Sequence, residues 1–60
     1  MNFLFQLRQT VCDTVTGLTG RVTARCEYLN GNRSYHVEGE ITSDGRLPED
    51  WVDETRLVAV

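Results

Sequence analysis

The chain contains no lysine; all six of its cations are arginine. Nine Asp and Glu outweigh them and leave a net charge of −3. Generic nucleic-acid binding needs an excess of positive charge along one face. The acidic balance therefore disfavours nucleic acid as a partner, although a local arginine cluster could still hold one anionic ligand. Arginine without lysine suits planar, bidentate hydrogen bonding better than diffuse attraction. Chance absence of lysine from so short a chain is the plainer reading. Cysteine is also scarce. Cys12 and Cys26 are too few for the dense disulfide framework of a small secreted domain. Long apolar runs are missing. Met1-Asn2-Phe3-Leu4-Phe5 reaches Gln6 at once, too short for a signal peptide or a membrane span. These absences lead to the expectation of a soluble, cytoplasmic protein with reduced thiols and no membrane contact.

The residues needed for catalysis are equally thin. The chain has no Gly-rich phosphate loop and no nucleophile elbow. His36 is the single histidine, and a nucleophilic cysteine would have to lie beside it, oriented by a third group. Cys12, Cys26 and His36 lack the paired spacing of a zinc site, and a lone cysteine on an apolar face is ordinarily a small buried hydrophobe. No catalytic residue, metal site or cofactor is expected.

Sixty residues make one domain, 1–60. A chain of this size buries only ~60% of the surface its unfolded form exposes, and burial set against ordering entropy comes out near zero. With neither disulfide nor metal to help, self-association into a homo-oligomer is expected.

Gly17, Gly20, Gly31, Gly39 and Gly45 punctuate the chain at the short intervals typical of all-β proteins. No segment has helical periodicity. The pattern predicts a first strand over Gln6–Val11, a loop over Asp13–Gly17, and a long second strand over Leu18–Leu29. In that second strand apolar and polar residues separate by parity, except at Leu29. Asn30-Gly31 is a strong hairpin signal, and a two-residue type I′ turn there would make paired residues sum to about 61. On that register Cys26 faces Tyr35 and Ala24 faces Val37. On the other face Arg25 meets His36, Glu27 meets Ser34, Thr23 meets Glu38 and Arg21 meets Glu40. Cys26 would then lie on the opposite face from His36, which removes that catalytic pair. Asp44-Gly45 marks a further turn, and Pro48 excludes a central strand nearby. Trp51-Val52 begins a short strand, Asp53-Glu54-Thr55 caps one tight 3₁₀ turn, and Leu57–Val60 closes the chain. About five short strands suggest an all-β fold, a small SH3-like barrel whose closure removes sheet edges.

The stretch DTVTGLTGRVTARCEYLNGNRSYHV, residues 13–37, together with WVDETRL, residues 51–57, resembles a family of very short phage and prophage proteins. The shared pattern runs D-x-V-T-G, a hydrophobic residue, then x-G-x-V-T-A-R-x-E-Y-L-N-G and later Y-x-V. A W-hydrophobic-D-E-x-x-L segment follows near the end. The match is close over 16–31 and loose over 39–50. Family members often carry a cysteine just after the Asn-Gly turn, where this chain has Asn32, so any role of that cysteine does not transfer. The resemblance implies an SH3-like barrel acting inside a bacterial host. Some other tiny phage proteins are oligomers that sequester nucleotide signals of host immunity. By that analogy of size and setting, and not by motif, the leading expectation is a non-enzymatic homo-oligomer binding a nucleotide-like ligand. The alternatives are a protein-interaction adaptor for a virion or host protein and, less favoured by charge, a KOW-type nucleic-acid binder.

Four residues are the candidate ligand contacts. Arg25 and His36 would grip an anionic group, using the bidentate guanidinium fork; the plainer reading is a solvated ladder of cross-strand ion pairs. Tyr28 and Arg33, opposed near the turn, would form a stacking platform, or simply pack as a cation–π pair. Trp51 is expected to fill the core; exposure at the rim would make it a recognition aromatic.

Overall fold

The computed structural model of the chain describes residues 3–60. It contains five antiparallel strands: β1 Thr10–Asp13, β2 Thr19–Glu27, β3 Arg33–Glu38, β4 Glu49–Asp53 and β5 Leu57–Ala59. A 3₁₀ turn, Glu54–Arg56, joins β4 to β5. The strands form one sheet in the order β4-β3-β2-β1-β5. The five antiparallel strands agree with the expected small all-β barrel, with the turn before the last strand in its expected place; β4 and β5 end the hydrogen-bonded order, however, so the expected removal of sheet edges is not complete. Asp53 caps that turn by accepting the Thr55 N–H at 3.0 Å. Among the described residues no helix is long and apolar enough to cross a membrane.

Alternation along the strands sends one side chain in two to the inner face. Val11, Val22, Tyr35, Val37, Val52 and Leu57 are buried there, and Phe5 of the N-terminal segment closes over them. The first strand starts later than its sequence suggests. Residues 6–9 form a turn instead: the Gln9 N–H donates to the Gln6 carbonyl, and Arg8 takes a left-handed conformation with φ 74°.

The hairpin forms where expected, but its register corrects the sequence reading. Asn30 does not have positive φ; Gly31 does, at 90°. The Gly31 N–H donates to the Tyr28 carbonyl, and the Tyr28 N–H donates to the Asn32 carbonyl, at 2.9 and 2.8 Å. The loop is therefore three residues, Leu29-Asn30-Gly31, a type I turn with a left-handed glycine bulge, in place of a two-residue type I′ turn. One extra loop residue slips the register by one and exchanges the faces. Cys26 lies opposite Ser34 and Arg25 opposite Tyr35, which puts Cys26 on the same outer face as His36 and corrects the expectation that the strand separates them. A second irregularity then restores the core. The register shifts between Val22 and Ala24, so that Val22 pairs with Val37 while Ala24 pairs with His36. The extra residue, Thr23, is a β-bulge, and beyond it the inward residues of β2 change parity.

Two glycines test this arrangement separately. A Cβ at Gly31 would meet nothing within 4 Å, so Gly31→Ala should cost only the left-handed backbone penalty, about 1–2 kcal/mol. A Cβ at Gly20 would overlap the Glu38 carbonyl of the neighbouring strand, so Gly20→Ala should destabilise by clearly more. Denaturant melts of both variants check the order; equal losses would contradict the close approach of β2 to the Glu38–Gly39 backbone.

Candidate functional site

The register places the candidate residues on two separate faces. Arg25 and His36, expected to stand together, do not. Arg25 pairs with Tyr35 on the inner side at the open end of the barrel, whereas His36 points from the outer face. The guanidinium of Arg25 lies 4.5 Å from the Phe3 ring centroid and donates from Nη1 to the Phe5 carbonyl at 3.2 Å. It packs the N-terminal segment onto the barrel. The opposition of Tyr28 and Arg33 is likewise corrected. Arg33 pairs with Glu27, its Nη2 3.3 Å from Oε2, and its Nη1 stands 3.8 Å from Glu54 Oε1. Tyr28 is left half-exposed beside Leu29 at the hairpin tip. The three-residue loop accounts for both displacements.

The inner end cluster centres on Tyr35, which is completely buried. Phe3 and Phe5 meet its ring edge-on at centroid distances of 5.9 and 5.3 Å. Its hydroxyl donates to Glu54 and accepts the backbone N–H groups of Leu4 and Phe5 at 3.1 and 3.4 Å. Burial, followed by the Glu54 carboxylate, raises its pKa above 10.0.

Asp13 is the buried charge that the sequence reading did not single out. Its carboxylate accepts the Val15 N–H at 2.9 Å, the Thr16 hydroxyl at 2.8 Å and the Arg56 guanidinium through both oxygens. Burial pushes its pKa up. The Val15 N–H, the Arg56 guanidinium and the Thr16 hydroxyl outweigh that and hold it at about 2, below the usual 3.8. D-x-x-T at the strand end was the available signal, since Asp side chains cap such turns. With every acceptor site occupied, Asp13 is scaffold.

The outer face carries different chemistry. Trp51, expected in the core, is 50% exposed there, because its neighbour Val52 takes the inward position on β4. It stands directly across from His36, ring centroids 5.2 Å apart and tilted by 53°. Glu49 and Asp53 share its face by the two-residue period of the strand, and Glu38 lies across from Glu49. His36 is held on both nitrogens. Nδ1 is 2.7 Å from the Thr23 hydroxyl and 3.4 Å from Glu38 Oε2, while Nε2 is 2.9 Å from Glu49 Oε1. The sequence reading placed Glu38 on the His36 face, but as an ion-pair partner in an arginine ladder, and did not bring Glu49 to it. H-x-E on one strand was the legible part of the signal; Glu49, on another strand, needed the fold. Both cysteines are free and half-buried, so Cys26 is not the fully buried residue expected. No family model, curated protein or solved structure matches this chain.

Two predictions separate scaffold from site. Arg25→Ala should destabilise the barrel by about 2–4 kcal/mol, the contribution of one cation–π contact and one charged hydrogen bond. A chemical melt matching the parent would show the Phe3–Arg25 packing to be idle. Asp13 has a lowered pKa in the folded state, so its contribution to stability is fully present above pH 3.8 and is lost as pH falls toward 2. Acid titration followed by circular dichroism should show that loss, and Asp13→Asn, less stable at neutral pH, should show a flatter profile over the same window.

Proposed function

We propose that the chain is a non-enzymatic binding module that presents Trp51, set among carboxylates, to a cationic segment of a protein partner. The observation that carries this reading is the half-exposed Trp51 on the outer face of β4. The ring borders His36, with Glu38, Glu49 and Asp53 in the same two strand rows. A tryptophan face attracts an arginine or lysine side chain through its quadrupole. The carboxylates around it would speed the approach of a basic partner and disfavour an acidic one. Tryptophan is also among the residues that dominate binding energy at protein interfaces. The resemblance to short phage proteins supports a host or virion protein as the source of the segment. Self-association, expected from the small core, would set two such patches on one particle and add avidity.

A nucleotide-like anion has less support as the ligand. Its expected grip, Arg25 with His36, is divided between two faces. Arg33 is engaged by Glu27 and Glu54, and Arg56 by Asp13. Nucleic acid is disfavoured by the same commitments and by the net charge of −3.

Trp51 is the single tryptophan, so its fluorescence reports directly on its own face. Titration with an arginine-rich peptide should shift its emission, with an affinity that falls as salt is raised. In Trp51→Ala, followed with a labelled peptide, affinity should fall at least tenfold, about 1.4 kcal/mol. The thermal transition should hardly move. Equal affinity in that variant, or binding of a nucleotide panel in place of the peptide, would overturn the reading.

A further inference from the structure

The outer face holds a second feature that does not depend on any protein partner. His36 and Glu38 project from the same side of β3, two residues apart, and Glu49 is the cross-strand neighbour of Glu38. One ligand atom from each of the three lies within 4.8 Å of those of the other two. Carboxylates alone would be ordinary solvated surface. Here an imidazole stands between them as a nitrogen donor, with Nε2 2.9 Å from Glu49 Oε1. A tetrahedral zinc ion with bonds of ~2.1 Å separates its ligand atoms by about 3.4 Å. Glu49 already stands at Nε2, whereas Glu38 lies on the Nδ1 side of the ring, its Oε2 3.4 Å from that nitrogen, so its carboxylate must swing toward Nε2 to complete the set.

The support behind the ring points the same way. Histidines that ligate metals through one nitrogen characteristically donate the other N–H to a fixed oxygen. The Thr23 hydroxyl lies 2.7 Å from Nδ1, placed to accept that N–H. Its own proton then has an acceptor in the His36 carbonyl, 3.3 Å away. Thr23 is the bulged residue of β2, so the irregularity that corrects the core register also sets this hydroxyl behind the imidazole. Nε2 is left as the nitrogen facing Glu49.

From this geometry we propose that His36 through Nε2, Glu38 and Glu49 form a binding site for one zinc ion, with Thr23 as the positioning residue behind the imidazole. One nitrogen and two carboxylate oxygens are ligands zinc accepts. Three protein ligands leave a fourth coordination position for water or for a donor from another molecule. Two of the three ligands belong to β3 and one to the edge strand β4. The ion would therefore tie that edge to the sheet and neutralise two carboxylates beside Trp51.

Zinc chloride titrated calorimetrically into the full chain near neutral pH tests the site without any partner. The expected result is one ion per chain and a raised thermal transition. Binding should be at least tenfold weaker in both His36→Ala and Glu49→Gln, and unchanged in Glu40→Gln, whose carboxylate is exposed and lies outside the cluster. Cobalt(II) as the probe should quench Trp51 saturably in the parent and not in His36→Ala, since the two rings are 5.2 Å apart. Several weak equivalents, or affinity indifferent to both His36→Ala and Glu49→Gln, would show carboxylates scavenging a cation and would overturn the proposal. If His36→Ala fails to fold, Glu49→Gln carries the comparison alone. Failure here leaves the Trp51 reading untouched, because that experiment uses no metal.

Discussion

The hydroxyl of Tyr35 joins the parts of this molecule that the sheet alone leaves loose. It is a buried polar group, and burying one without partners costs roughly 1–3 kcal/mol. Three partners satisfy it: Glu54 from the 3₁₀ turn, and the backbone N–H groups of Leu4 and Phe5 from the N-terminal segment. The requirement runs in both directions. Because the hydroxyl must be satisfied, residues 3–5 and the β4–β5 connection are both drawn to the same end of the barrel. Because they are drawn there, the Phe3 and Phe5 rings can meet Tyr35 edge-on, and Arg25 can lie over Phe3. A sixty-residue chain has little core area to spend, and this polar hub supplies what a larger apolar interior would otherwise supply.

Several features of the architecture were legible in the residues. Glycine spacing, the Asn-Gly hairpin, the Asp44-Gly45 turn and the Asp53 cap each have a local cause, and all stand in the structure. What stayed illegible was the register. Asn30-Gly31 is compatible with a two-residue loop in which both residues have positive φ, and with a three-residue loop in which only Gly31 does. Both satisfy the hairpin; they differ by one residue, and one residue exchanges the faces. The Thr23 bulge then exchanges them back over part of β2. The apolar parity of Val22, Ala24 and Cys26 looked like a continuous inward stripe, but only Val22 of the three is buried. No local property of Thr23 announces a bulge. It follows from the core: Val22 must oppose Val37 while the turn demands a register one residue away.

The same two irregularities decide where chemistry can occur. An unbulged type I′ hairpin would have put Arg25 beside His36 on the outer face. The actual register turns Arg25 inward, where it fastens the N-terminal segment, and leaves His36 outside among Thr23, Glu38, Glu49 and Trp51. An expected anion site thereby becomes an acidic face, without the change of a single residue.

The acids of β4 have one explanation that requires no ligand. β4 is an edge strand, and charged side chains on an edge discourage pairing with other chains. Asp50 adds to this by accepting the Trp51 N–H at 2.9 Å, which occupies a backbone donor that another strand could use. Glu49, Asp50 and Asp53 are thus intelligible as protection. Trp51 is not. A half-exposed indole at the centre of an edge strand works against that protection by offering the apolar area the acids are there to withhold. The fold does not call for it either, since Val52 fills the inward position and is fully buried. Of the outward residues on β4, Trp51 is therefore the one that neither core packing nor edge protection explains, and the binding reading rests on it more than on the charges around it.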